Sequence, residues 1–271
     1  MLPSRMPSAY AVKSTVKSTL KGRWPEAIIV GLMPTFAFYM FSLISSVVSP
    51  LAKGKEDYLL IAILLLSAVF VVLPLFFGVL RFFWRITDGA DEGVSSAFHF
   101  FTSKNLYIRS LKLTLVTSFK IGLVFLLCLL PFFAVELFSH FLVYDIFKEV
   151  LPVWAINLSA FKNLFYTVGN IFAIILSLRY YLIPVIAVMD EKLLVFEAVH
   201  ISTLLAKRNL SSFFGLIFSN LGWILLSFLV LPQIYTLPFL LGCYVVHSRF
   251  VMVNYNLRLE FQERNRFNAQ L

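Results

Sequence analysis

Two arginines stand beside paired aromatic residues within apolar segments, where a charge must be either functional or neutralised. Arg81 lies in the stretch Leu-Arg-Phe-Phe and Arg179 in the stretch Leu-Arg-Tyr-Tyr. An isolated charge in hydrocarbon is costly, so such residues mark a site or find a partner. Acidic residues follow each arginine, with Asp88 after the first and Asp190 after the second. The pattern allows a substrate-binding pair or two neutralised structural anchors, and we favour the anchors.

Three further polar residues are candidates for a site. Lys120 interrupts an apolar run, where its side chain either extends to the inner interface or lines a polar cavity that meets an anionic group. His99 and His200 are a possible metal or proton-relay pair, but no carboxylate or cysteine lies at ligand spacing beside both. We therefore favour two surface histidines and predict no metal site.

No motif in the sequence indicates an enzyme. The chain contains no GxxxxGK[ST], GxSxG or HExxH pattern and no DxDxDG calcium loop. Its two cysteines, Cys128 and Cys243, are far apart and lie in apolar segments, which is typical of buried thiols. We expect a protein without catalytic activity and without a cofactor.

The segments that hold these residues are long enough to cross a membrane. Of the 271 residues, 60% are hydrophobic and only 14% are charged, whereas soluble domains carry about a quarter charged residues. A helix of about 20 apolar residues spans a bilayer. The sequence predicts an all-α polytopic membrane protein with six transmembrane helices, at about 27–48, 58–83, 113–135, 164–187, 210–231 and 234–253.

The distribution of basic residues predicts the orientation of these spans. With both termini inside, the internal segments hold seventeen Lys and Arg residues and the external loops hold four. The positive-inside rule then places both termini in the cytoplasm. The net charge of +9 is spread between apolar runs, which favours an anionic membrane surface over nucleic acid as the partner.

Segments outside the spans show the amphipathic pattern of interfacial helices. The membrane domain, 27–257, lies between a basic amphipathic segment, 1–26, and a basic tail, 258–271. In the first of these, an apolar stripe recurs every four residues at Val12, Val16 and Leu20. We expect this stripe to face lipid, with a flexible basic tail as the alternative. The residues predicted to contact anionic lipid are Lys13, Lys17, Lys21 and Arg23.

Two further amphipathic segments are predicted. The external loop at 139–163 carries aromatic residues among charges, which indicates a short interfacial helix or a cap over a cavity. After the fourth span, a helix should place Leu194, Ala198, Ile201 and Leu205 on one face, with Asp190 capping its start.

Matching stretches indicate an internal repeat. The Leu-Arg-Phe-Phe stretch at 80–83 matches 178–181 at an offset of 98 residues, and Ala-Phe-His at 97–99 matches 198–200 at an offset of 101. Two spans separate equivalent points, so the units would be parallel. We predict repeat units at about 58–135 and 164–232.

Several stretches resemble a known family of six-pass bacterial membrane proteins. They are LKGRWPEAI at 20–28, GVLRFFWRITDG at 78–89, the stretch from LRYYLIP to FEAVHIS at 178–202, and Leu-Gly-Trp at 221–223. The family is catalogued as domain of unknown function 975 and is similar to the membrane domain of some glycerophosphodiester phosphodiesterases. Its Glu-Ala-x-x-x-Ser stretch is matched by Glu197, Ala198 and Ser202, and the resemblance covers roughly 15–257. It implies a helical fold in the bacterial inner membrane and carries over no catalytic residue.

Two functions are favoured by the sequence, and an intramembrane enzyme is the third alternative. The first is a non-enzymatic membrane protein that binds lipid, or a membrane-protein partner, in envelope homeostasis. The second is a small transporter with a polar site between the repeats, around Arg81, Lys120 and Arg179. A transporter needs a polar cavity at membrane depth, whereas a binding protein can have a packed apolar bundle. The sequence does not indicate the oligomeric state.

Overall fold

The computed structural model describes residues 8–48, 56–141 and 153–270, and the regular elements in these ranges are all helical. The α-helices are α1 (Ala9–Leu20), α2 (Trp24–Val48), α3 (Glu56–Thr87), α4 (Lys104–His140), α5 (Val153–Ser177), α6 (Ile183–Met189), α7 (Val195–Ser219), α8 (Leu221–Leu226) and α9 (Val230–Gln270). Two 3₁₀ helices cover Val94–Phe101 and Leu178–Tyr180. The all-α prediction is confirmed for these residues. In the 139–163 loop, where an interfacial helix is predicted, residues 142–152 lie outside them.

Among the described residues, five helical stretches are long and apolar enough to cross a membrane. They are Trp24–Ile44, Val69–Thr87, Lys104–His140, Ala160–Met189 and Leu231–Tyr255. Each overlaps one of the predicted spans, which supports the prediction of a multi-pass membrane protein. The predicted span at 210–231 is not among them, because Lys207 and Arg208 lie in the middle of α7 and the helix ends soon afterwards at Ser219.

The chain reverses direction between α8 and α9. Ser212 Oγ lies 2.9 Å from His247 Nε2, and the rings of Trp223 and Phe239 are 5.1 Å apart. These pairs converge on the turn before α9, so α7 and α8 run antiparallel to α9. The spans predicted at 210–231 and 234–253 place this reversal at 232–233, but the structure already includes these residues in α9.

The chain divides into two compact units, one of residues 1–114 and 182–271 and one of residues 115–181. In the second unit, α4 and α5 form an antiparallel pair. Glu136 Oε2 lies 2.8 Å from Lys162 Nζ, and a Cβ on Gly169 would come within 2.7 Å of the Cys128 carbonyl oxygen. The glycine therefore allows close approach of the two helices.

The buried residues of the first unit lie toward one end of its long helices. In α2 the buried side chains belong to the first turns, at Ala27 and Val30, and the residues from Phe36 onward are mostly exposed. In α3 the buried side chains that the structure describes lie in the C-terminal half, where Phe82 and Phe83 are almost completely enclosed. The tightly packed core of this unit is thus built at the end where α3 terminates.

The N-terminal helix α1 is part of this core. Its stripe of Val12, Val16 and Leu20 is buried, and Val16 Cγ1 would be 2.8 Å from a Cβ placed on Gly242 of α9. The helical period is as predicted, but the expectation that the stripe faces lipid is wrong. Because Gly242 has no side chain, α9 leaves room for Val16, and protein covers the apolar face.

Candidate functional site

A tight turn follows α3 and brings its acidic residues back toward the helix. Gly89 adopts a φ of +81°, a left-handed conformation that glycine tolerates without strain. Beyond it, Glu92 Oε1 accepts a 2.9 Å hydrogen bond from Arg85 Nε and lies 3.6 Å from Arg81 Nη1. Arg81 and Arg85 are one helical turn apart, so a single carboxylate contacts both.

Glu191 supplies the second carboxylate of Arg81. Its Oε1 atom lies 3.3 Å from Arg81 Nε and 2.9 Å from His99 Nε2. Arg81 therefore sits between two carboxylates, and its side chain is only 21% exposed. The sequence suggests Asp88 and Asp190 as counter-charges for the two arginines, whereas the acids that contact Arg81 are Glu92 and Glu191. Glu92 and Glu191 are close in sequence to the predicted aspartates, but no local spacing identifies them as the partners of Arg81.

Asp88 pairs with α9 instead. Its Oδ1 atom accepts from Arg249 Nη2, and the Arg249 guanidinium carbon lies 5.8 Å from the ring centre of Trp84. Arg23, which directly precedes α2, donates a 2.8 Å hydrogen bond to the Ala90 carbonyl and lies 3.0 Å from Asp91 Oδ1. These contacts link the turn to the start of α2. Cationic side chains from α9 and the α1–α2 connection thus hold the acidic turn.

Arg109 fixes the connection between α6 and α7. Its guanidinium donates to three backbone carbonyls: Ala187 at 3.3 Å, Asp190 at 2.7 Å and Leu193 at 2.9 Å. Charge-assisted hydrogen bonds of this kind are stronger than neutral ones. Arg109 was not among the predicted site residues, because a side chain that binds backbone carbonyls leaves no pattern in sequence spacing.

The start of α7 differs from the prediction in two ways. Asp190 ends α6 and accepts a 2.9 Å hydrogen bond from the Lys192 backbone, whereas the N-terminus of α7 is capped by Glu197, whose Oε2 accepts from Leu194 N at 3.1 Å. The buried face includes Ala198 and Leu205 as predicted, but Leu194 is 67% exposed. The capping geometry places Leu194 before the first helical turn, so it does not follow the helical period.

These contacts enclose a cleft of about 500 Å³. We call it the first cleft. Its basic side chains are Arg81, Arg85 and Lys192, and its acidic ones are Asp88, Asp190 and Glu191. Trp84, Val188 and Met189 provide apolar surface. The first cleft therefore combines equal numbers of both charge signs with an apolar wall, which suits a ligand that has charged and apolar parts.

A second cleft of about 370 Å³ lies on the other side of the same connection. It shares Glu191 and Lys192 with the first cleft and adds Arg109 and Lys112. Its apolar lining comes from Ile108, Leu193, Leu194 and Val195. Lys192 thus borders both clefts, and its exposed ammonium group forms no hydrogen bond or ion pair with any residue in the described ranges.

The predicted site residues divide between the two units. Arg81, Asp88, His99 and Asp190 all belong to the first unit and lie in or beside the first cleft. His200 is exposed on α7, while His99 pairs with Glu191. In the second unit, Lys120 is half-buried on α4 and Arg179 is exposed in the 3₁₀ helix Leu178–Tyr180. Within the described ranges, no three His, Cys, Asp or Glu residues are grouped to hold a metal ion.

The four basic residues predicted to contact lipid have different environments. Lys13 Nζ donates to the Ser219 carbonyl at the end of α7, and Arg23 is occupied by the acidic turn. Lys17 is exposed on the surface of α1, and Lys21 is exposed directly after its end. Only these two retain the open side chains that binding to a membrane surface requires.

Comparison with known proteins adds no further assignment. No protein-family model, curated protein or solved structure matches the chain.

Proposed function

We propose that this chain is a non-enzymatic integral membrane protein that binds membrane lipid in the first cleft and contributes to envelope homeostasis in a bacterial inner membrane. The proposal includes the orientation from the basic residues, with both termini cytoplasmic. The first cleft then lies at the cytoplasmic end of α3, where lipid headgroups are found.

The observation that carries this proposal is the position of the first cleft at the end of an apolar span. The stretch Val69–Thr87 is apolar enough for the membrane interior, and Arg81, Trp84 and Arg85 lie in its last two turns. Arginine and tryptophan at the end of a span are typical of the headgroup region. A lipid there would place its headgroup among the charges and its acyl chains along apolar helix surface.

The exposed lysines of α1 support a second contact with lipid. Lys17 lies in the last turn of α1 and Lys21 directly follows the helix, and both side chains are exposed. The neighbouring stripe of Val12, Val16 and Leu20 is buried in the protein core, which keeps these two lysines in a fixed position. We propose that these two lysines bind anionic headgroups through a salt-sensitive attraction.

A small transporter remains the alternative, and the packing of α3 favours lipid binding over it. Transport requires polar surface that continues to membrane depth. In α3 the buried residues that precede and surround Arg81 are apolar, at Val79, Leu80, Phe82 and Phe83. The helix carries no charged residue between Tyr58 and Leu80, and its arginines lie near its end.

The six-span topology, the parallel repeat and the membership of the domain of unknown function 975 family are part of the same proposal. The antiparallel pairing of α7 and α8 with α9 supports a fifth span formed from the uncharged segment 209–229. In both proposed repeats, an acidic connection follows the arginine segment, and in the second it leads directly into α7.

The test is lipid retention by the full-length protein. Wild type, Lys192→Gln and the control Arg208→Gln would be purified from nanodiscs, and bound phospholipid would be counted by native mass spectrometry. Arg208 is exposed on α7 and does not line the first cleft. We expect Lys192→Gln to lose a retained lipid that Arg208→Gln keeps. Equal retention by all three proteins would contradict lipid binding at this cleft.

A further inference from the structure

We propose that the first cleft selects a phosphate group joined to a primary ammonium, as in an ethanolamine phospholipid. Arg85 and Lys192 would bind the phosphate, and Asp88 would bind the ammonium. This inference rests on the proposed lipid-binding function and specifies the headgroup.

The cationic half of the site has donors left for a ligand. Arg85 uses Nε for Glu92, and its side chain is 47% exposed. Its two terminal nitrogens have no partner among the described residues. The ammonium group of Lys192 is likewise open, and its backbone is held in place by Asp190 Oδ1. Arginine and lysine together are a common means of binding phosphate oxygens.

The anionic half is provided by Asp88. Its side chain is 39% exposed, and Oδ1 is bound to Arg249. The other carboxylate oxygen is left as an acceptor for a ligand. Arg81, by contrast, is already neutralised by Glu92 and Glu191, so it adds little free positive charge to the first cleft.

The balance of charges discriminates among headgroups. A phosphatidylglycerol headgroup carries the phosphate but no cation, so the carboxylates of the first cleft would face it without compensation. A choline headgroup carries a cation but has no N–H, so it cannot donate a hydrogen bond to Asp88. Only a primary ammonium supplies both the charge and the donor. The ethanolamine headgroup therefore fits the first cleft better than either of the other two.

The experiment measures lipid selectivity in nanodiscs with equal amounts of phosphatidylethanolamine and phosphatidylglycerol. All proteins carry Lys17→Gln and Lys21→Gln, which removes these exposed lysines as a second binding site for phosphatidylglycerol. Retained lipid is quantified by native mass spectrometry for the parent and for Asp88→Asn. The matched control is Asp91→Asn, an acid in the same turn whose side chain is 94% exposed and outside the first cleft.

We expect the parent to retain phosphatidylethanolamine about tenfold over phosphatidylglycerol, the discrimination supplied by one charge-assisted hydrogen bond. Asp88→Asn should bring the ratio close to one, while Asp91→Asn keeps it. Arg249→Gln breaks the Asp88–Arg249 pair from the other side but leaves the carboxylate, so the preference should persist. A loss of preference in Arg249→Gln equal to that in Asp88→Asn would show that the ion pair is structural and would overturn the inference.

Other outcomes separate the inference from the proposed function. Retention of phosphatidylglycerol equal to or above phosphatidylethanolamine overturns the headgroup assignment but leaves lipid binding intact. Retention of neither lipid, with no effect of Lys192→Gln, overturns the proposed function as well. A last arm adds O-phosphoethanolamine to delipidated protein in detergent. Thermal stabilisation by this compound, without retention of the lipid, would identify a soluble phosphate–ammonium ligand and contradict the lipid source.

Discussion

The carbonyl oxygen of Asp190 accepts a 2.7 Å hydrogen bond from Nη2 of Arg109, a residue 81 positions earlier in the chain. This contact fixes the connection that separates the two clefts. Since Lys192 and Glu191 line both clefts, the start of α4 determines the geometry of each. Arg109 therefore affects both clefts by binding backbone carbonyls and not by binding a ligand.

Replacement of Arg109 by Lys should therefore destabilise the first unit. Lysine keeps the charge but cannot reach three carbonyls with a planar group. We expect a loss on the order of 2 kcal/mol, the range for hydrogen bonds to a charged group. Thermal unfolding in detergent measures this effect. Lys112→Gln is the control, because Lys112 is exposed on the same helix, and an equal fall in Tm would contradict the role of Arg109.

Gly78 should not tolerate a side chain. A Cβ at this position would overlap the carbonyl oxygen of Ala97 in the 3₁₀ helix Val94–Phe101. We expect Gly78→Ala to cost about 1–3 kcal/mol, as overpacking does in other cores. Gly215→Ala is the matched control, because nothing lies within 4 Å of its added Cβ. The alanine there should be neutral or slightly stabilising. Similar unfolding temperatures for the two variants would show that the 3₁₀ helix is not packed against Gly78.

Lys13 should contribute to stability while Lys17 does not. Lys13 donates to the Ser219 carbonyl at the C-terminus of α7, where a helix dipole favours a positive charge. Lys13→Gln should lower stability by on the order of 1 kcal/mol. Lys17→Gln, one turn later and exposed, should leave the Tm unchanged. Limited proteolysis of the N-terminal segment provides a second readout, since α1 should be cut faster only in the first variant.

The proposed orientation can be tested by cysteine labelling. In a chain with Cys128 and Cys243 replaced by Ala, Asp91→Cys and Asn163→Cys place exposed thiols on either side of the span Lys104–His140. A membrane-impermeant maleimide should label Asn163→Cys in spheroplasts and Asp91→Cys only after lysis. The reverse pattern would invert the topology, and labelling of both in spheroplasts would contradict a span between them.

Local patterns in the sequence were sufficient to locate α1 and the five apolar stretches long enough to cross a membrane in the described residues. Apolar runs of about 20 residues predict membrane helices because backbone groups must be satisfied within the bilayer. The four-residue period of Val12, Val16 and Leu20 predicts α1 because it matches the period of an amphipathic helix. Neither pattern identifies the surface that covers the helix. Gly242, which makes room for Val16, lies on a helix more than 200 residues away in the chain.

The candidate site was only partly predictable. An arginine in an apolar segment must find a counter-charge, and the acidic turn beside Arg81 was the nearest source. The sequence could not show that Glu191, from another connection, completes its environment. Likewise, the length of an uncharged tract does not reveal that Asn220 separates α7 from α8. Both features depend on tertiary contacts, and these contacts cannot be inferred from a single sequence.

The tight packing of the described residues at one end of α2 and α3 affects how the protein responds to bilayer thickness. A thinner or thicker membrane imposes a mismatch that helices relieve by tilting. Residues such as Phe36 and Leu66 have few protein neighbours, so these ends can tilt at low cost. Phe82 and Phe83 are enclosed and resist the same movement. Changes in membrane thickness should therefore tilt the exposed ends of α2 and α3. The first cleft should keep its shape in membranes of different composition.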